Sequence, residues 1–146
     1  YNGRHVSAAA VAAHECGHAI QHATSYQWLQ MRSQMVPMVS FSSKLMNIIM
    51  ILGLIGAGVL KMFPFATIIL VFVILQAVVT LFTLVTLPVE FDASRRALIW
   101  LKSANISTPQ EVNFAEDALK WAASTYVVAA LAAAAYLLYY VALLKE

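Results

Sequence analysis

His14-Glu15-Cys16-Gly17-His18 sets two imidazoles four residues apart, with a carboxylate beside the first. On a helix, residues i and i+4 share a face. Neutral imidazoles at that spacing can close on one zinc ion, each about 2.0–2.1 Å away. Zinc lowers the pKa of a water it holds to about 7, and Glu15 is placed to take the proton. The chemistry predicted is hydrolysis of a peptide bond by a metal-activated water, with Glu15 as general base. The plain alternative for an HExxH sequence is a polar stripe on a solvent-facing helix. The surroundings argue against it, because Ser7 to Ile20 reads SAAAVAAHECGHAI. Ionisable groups on such an apolar helix are costly to bury unless something pairs with them. Two His and one Glu around a cation resolve that cost. Gly17 lowers helix propensity. It reads either as a point of close approach or as a tolerated helix glycine. Cys16 is the single cysteine, so no intramolecular disulfide forms. On a helix it points away from the His14/His18 face.

A catalytic zinc takes three protein ligands and a water. The HExxHxxGxxH extension is absent, since Ala19, Ile20 and Gln21 follow His18. His22 lies eight residues from His14, over about 10 Å along the axis, too far to share an ion. His5 precedes the helix and is an equally weak candidate. The stronger source is Pro88-Val89-Glu90-Phe91-Asp92-Ala93-Ser94-Arg95-Arg96-Ala97. Glu90 is the favoured third ligand there. Asp92 competes, but it sits about 200° around a helix from Glu90, so only one can face the metal.

The elements that must position these groups are membrane helices. The chain is 62% hydrophobic and only 11% charged, where a soluble domain carries about 25% charged residues. No residue from Met62 to Val89 is charged, and none from Trp121 to Leu144. Both runs are long enough to cross a bilayer. Leu45–Leu60 is a third, completed by Ser42–Lys44 with the lysine snorkelling. Met62-Phe63-Pro64-Phe65 reads as a tight connection making the first two spans a hairpin. The hairpin returns Glu90 to the side of the bilayer that carries the HExxH helix. A net charge of +2 is too weak to imply nucleic acid. The expectation is one all-α membrane domain over 1–146, with an HExxH helix region over 1–34. Spans are expected at 42–62, 64–88 and 121–144, with third-ligand and connecting helices over 89–120. The start at Tyr1, without Met, reads as a fragment or processed form.

VAAHECGHAIQH, the hairpin and PVEFDASRRAL together resemble the YugP-like family of membrane zinc metallopeptidases, over essentially the whole chain. The full family form carries a further N-terminal membrane helix and a small domain. EFDAS also resembles the E-F-x-A-D segment of the broader membrane gluzincins, the HtpX and CAAX-protease group. The resemblance implies zinc as cofactor, His14, His18 and Glu90 as ligands, and Glu15 as general base. Ser94 stands where the broader group has Asp, a residue that orients a ligand histidine. Ser94 or Asp92 is left to fill that role.

Arg95, Arg96 and Tyr26 are the available oxyanion donors, although the two arginines also suit membrane-interface anchoring. Thr108-Pro109-Gln110-Glu111 reads as a capping box starting a helix that runs into the third span. Tyr136, Tyr139 and Tyr140 read as an interfacial belt. Gln76 reads as a packing hydrogen bond in mid-membrane. Met31, Met35, Met38 and Trp28 form an apolar stretch before the first span. Gly53, Gly56 and Gly58 permit close helix packing. Arg4, Arg32, Lys44, Arg95, Arg96, Lys102 and Lys120 fall on the active-site side, against Lys61 and Lys145 on the other. The positive-inside rule then puts the site at the cytoplasmic face, in a bacterial-type plasma membrane. The expected substrate is a protein or peptide near the bilayer. The rival is a non-catalytic scaffold in which zinc closed by four protein ligands, with His22, His5 or Asp92 as the fourth, pins the helices.

Overall fold

The structure is a computed structural model that describes residues 6–55, 62–104 and 107–145. These residues form four helices and no strand. They are α1 (Val6–Ala23), α2 (Gln27–Ile55), α3 (Phe65–Ser103) and α4 (Pro109–Leu144). The all-α expectation is met, and α2, α3 and α4 are each long and apolar enough to cross a membrane. Arg4, His5, Gly56, Gly58 and Lys61 lie outside the described residues.

The helix boundaries have local causes. At the end of α1, Tyr26 N–H donates to the Gln21 carbonyl (2.9 Å) and Ser25 N–H to that of His22 (3.1 Å). Ser25 has a φ of 52°. Together these make a Schellman cap in which a serine takes the left-handed position usually held by glycine. Pro64 starts α3: its carbonyl accepts from Thr67 (3.0 Å) and Ile68 (3.3 Å), and its own missing N–H leaves nothing unsatisfied. At α4, Thr108 N–H donates to Glu111 Oε2 (2.7 Å) and Glu111 N–H to Thr108 Oγ1 (3.3 Å). That is the capping box read from the sequence. Pro37 and Pro88 lie inside α2 and α3, which continue through them. The helix carrying Glu90 is thus an uninterrupted extension of the helix that begins at Phe65.

The chain forms two compact units. One contains Tyr1–Met31 and Val85–Val128, the other Arg32–Leu84 and Ala129–Glu146. In the first, Ala10 and Ala13 of α1 pack with Ala97 and Leu101 of α3 and Ala115 and Leu119 of α4. Small residues at these positions let the backbones approach closely. In the second, Gln76 Nε2 donates to the Ala133 carbonyl at 3.1 Å, and Thr80 Oγ1 donates to the same oxygen at 3.1 Å. Gln76 is therefore a packing residue, as its isolation in an apolar run suggests.

Candidate metal centre

The site is made where α1 crosses the C-terminal part of α3. Ala13 and Gly17 are buried on the α1 face that meets Val89, Ala93 and Ala97. A Cβ on Gly17 would collide with the Ala93 carbonyl group, with its carbon at 3.0 Å and Cα at 3.1 Å. Of the two readings of Gly17, close helix approach is the one the structure takes. The glycine lets the flanking His14 and His18 reach Glu90.

His14 Nε2 lies 3.2 Å from Glu90 Oε2, and His18 Nε2 lies 3.6 Å from the same oxygen. The rings meet edge to face, with centroids 4.7 Å apart. One ligand atom from each of the three residues falls within 4.8 Å of the others. A tetrahedral zinc with ligands about 2.0–2.1 Å away sets its donors about 3.3 Å apart. The two measured separations bracket that value. Glu90 is 2% exposed, and a carboxylate so buried requires compensating positive charge. Two imidazole nitrogens and one carboxylate are a zinc donor set with a coordination position left over. The residues present therefore fit the metal.

The other faces of the two rings are also held. Ser94 Oγ is 3.2 Å from His14 Nδ1. On His18, Nδ1 is 3.0 Å from Gln21 Oε1. Gln21 is fully buried, and its amide nitrogen donates to the Val89 carbonyl (2.8 Å) and to Asp92 Oδ2 (2.9 Å). Asp92 Oδ2 also accepts from Arg96 Nε at 2.6 Å. The Arg96 guanidinium lies 5.7 Å from the Tyr26 ring centroid. The sequence posed Ser94 and Asp92 as alternatives for orienting a histidine. The structure uses both: Ser94 touches His14 directly, and Asp92 reaches His18 through Gln21.

The remaining candidates separate cleanly. Glu15 is exposed, one residue beyond His14. His22 is exposed and outside the donor group, and Cys16 is exposed. Asp92 points to Gln21 and Arg96 rather than to the histidines, in keeping with its angular offset from Glu90. Arg96 is engaged by Asp92, whereas Arg95 is exposed. Burial and the Asp92 carboxylate push the Tyr26 phenol up, so it remains an O–H donor at neutral pH. The Glu90 hydrogen bond raises the His18 pKa above 6.5 against the opposing effect of burial. Sequence reasoning missed Gln21. The available signal was an amide three residues after His18, hence on the same face, in a helix otherwise apolar there.

The family model described as "Putative neutral zinc metallopeptidase" matches residues 1–145. The chain belongs to this family. Family membership makes zinc the metal for which the donor set is suited. The chain is also 40% identical over 138 residues to the "Putative membrane protease YugP" of Bacillus subtilis (strain 168). The match covers 90% of this chain and 55% of that relative, so the chain spans about half the length of the curated protein it matches. No solved structure matches it. With the three apolar helices, these matches place the chain among membrane proteins. Helices of this length and apolarity imply contact with lipid.

Proposed function

We propose that this chain is the catalytic core of a zinc-dependent membrane endopeptidase. His14, His18 and Glu90 would hold the metal, and Glu15 is the general base. The observation that carries the reading is the convergence of three donor atoms within 4.8 Å around a buried carboxylate, on one HExxH helix and one neighbouring helix. When bound, zinc supplies Lewis acidity toward a substrate carbonyl and makes water acidic near neutral pH. Glu15 is exposed and adjacent to His14, so its carboxylate can exchange protons with groups at the open side of the site. It accepts a proton from the attacking water and returns one to the leaving amine. Ser94 and Gln21 hold the ligand rings from behind.

The scaffold reading fares worse. A structural zinc is closed by four protein ligands. Among the described residues three donors converge, His22 is exposed, and Asp92 is held by Gln21 and Arg96; His5, the other fourth-ligand candidate, lies outside the described residues. The test is Glu15→Gln, measured as zinc content and as cleavage of a membrane-tethered peptide. Zinc should be retained and cleavage lost. Cleavage at the wild-type rate would remove Glu15 from the mechanism.

We also propose that the site faces the cytoplasm and that substrates are peptide segments near the bilayer surface. The bias of Arg32, Lys44, Arg95, Arg96, Lys102 and Lys120 to one side supports this orientation. Cys16 is a built-in probe, being the single cysteine and exposed. A membrane-impermeant maleimide should label it only after cells are permeabilised; labelling in intact cells would reverse the orientation.

A further inference from the structure

We propose that Gln21 is a positioning residue for the metal centre, fixing the tautomer of His18 and tying that ring to α3. The inference rests on the three-ligand reading above, and its argument is one of donor and acceptor supply. Val89 O and the Asp92 carboxylate can only accept hydrogen bonds. Both lie against one end of the Gln21 side chain, at 2.8 and 2.9 Å. That end must therefore be the NH2 group, which has two hydrogens to give. A flipped amide would set its oxygen against two acceptors, losing both hydrogen bonds and placing like partial charges together around a fully buried side chain. The amide oxygen is thereby committed to the other end, 3.0 Å from His18 Nδ1. An oxygen there can only accept, so Nδ1 carries a proton. In the neutral ring the lone pair is then on Nε2, the atom that faces Glu90 at 3.6 Å.

The orientation of one amide thus favours the ring form whose Nε2 lone pair can bind a metal, against the pull of the Glu90 carboxylate on a proton at Nε2. It also fixes where the ring stands. Gln21 anchors to the carbonyl of Val89, the residue immediately before Glu90, so His18 and Glu90 are referenced to the same turn of α3. Asp92 secures the far end and is itself held by Arg96. This gives Asp92 a role that is neither ligand nor substrate contact. It accepts the hydrogen bond that stops the Gln21 amide from turning over. Among the described residues, His14 has Ser94 in the equivalent place. A serine hydroxyl can donate or accept and rotates freely, so it does not dictate a tautomer. His18 is therefore the ligand whose protonation pattern is built into the fold.

The test compares wild type with Gln21→Met, which keeps length and apolar bulk but removes every hydrogen bond. Two readouts are taken on the detergent-solubilised full chain: zinc affinity, and the nitrogen-15 pattern of the His18 ring in metal-free protein at a pH where the ring is neutral. The expected result is Nδ1–H in the wild type and a mixture of tautomers in the variant. Zinc affinity should fall about 10–100-fold, the usual cost of losing an outer partner of a ligand. Asp92→Ala, which leaves Gln21 in place, should reproduce a weaker form of both effects, while Asp92→Asn should be closer to wild type. These two variants keep the test open if Gln21→Met does not fold. Unchanged affinity together with an unchanged tautomer in Gln21→Met and in Asp92→Ala would overturn the proposal while leaving the zinc site standing. A wild type that binds no zinc would instead defeat the three-ligand reading. The tautomer pattern would still decide for or against Gln21.

Discussion

Two buried glutamines occupy the two halves of this molecule and do different work. Gln21, in the first unit, makes three hydrogen bonds with three partners: His18, Val89 and Asp92. Gln76, in the second, donates to one backbone carbonyl, that of Ala133, which Thr80 also reaches. Both are 6% exposed or less. Burial alone does not distinguish a structural amide from one that serves a site. The identity of the partners does. Gln76 holds two helices together at a carbonyl that has a second donor. Gln21 divides its donors and acceptor among a titratable ring, a carboxylate and a backbone carbonyl.

Variants that disrupt the first unit should cost most. Gly17→Ala forces a methyl against the Ala93 backbone, which cannot move as a side chain can. Destabilisation of about 1–3 kcal/mol, the usual range for overpacking, is expected. It should appear as a lower Tm together with weaker zinc binding, since α1 must step away from Glu90. A variant that keeps wild-type Tm and zinc affinity would show that the close approach is not what brings the ligands together.

Replacing each glutamine by leucine should separate the two roles. Gln21→Leu strands buried polar groups, each worth about 1–3 kcal/mol when left unsatisfied. Gln76→Leu removes one of two donors to a single carbonyl, and hydrogen bonds between membrane helices average about 0.6 kcal/mol. The first should lower Tm clearly more than the second. Equal effects would erase the distinction drawn between the two residues.

Acidity offers a subtler separation. The folded, metal-free protein raises the His18 pKa above 6.5 through Glu90. A raised folded pKa stabilises fully below the unfolded value, and that stabilisation is lost as pH rises through the folded value. Chelator-treated protein should therefore lose this increment of Tm as pH is raised above 6.5, and Glu90→Gln, which removes the largest cause, should lose less. Zinc loading runs the other way, because the ligand must be deprotonated, so affinity should fall as pH drops through the same range. The smallest expected effect is a gain. Ser25→Gly relieves a left-handed serine (φ 52°) and should raise stability by about 1 kcal/mol, with zinc affinity unchanged. A loss of stability would mean the serine side chain contributes something the cap geometry does not reveal.

Much of the fold was legible because its signals are local. Uncharged runs marked the membrane helices, and Thr108-Pro109-Gln110-Glu111 marked the start of α4 to the residue. That α2 and α3 run on through Pro37 and Pro88 was harder to read, since a proline in a long apolar helix costs one hydrogen bond and need not end it. The HExxH spacing and the acidic cluster after the second apolar run named the three side chains, His14, His18 and Glu90, that the structure brings within 4.8 Å of one another. The outer partners of the rings were not legible with the same security. Ser94 and Asp92 looked like alternatives because each was judged against a single histidine. The amide that connects Asp92 to His18 comes from α1, and only the crossing at Gly17 and Ala93 brings it there. Pairings across a helix crossing depend on the crossing geometry, which no one-dimensional period encodes.

The most direct test of the central claim is zinc per chain in purified protein, wild type against Glu90→Gln. One zinc is expected in the wild type, with affinity reduced by more than about 100-fold in the variant, beyond what losing an outer partner costs. Zinc held equally by both would show that Glu90 is not a ligand, and the convergence of His14, His18 and Glu90 would have to be explained without a metal.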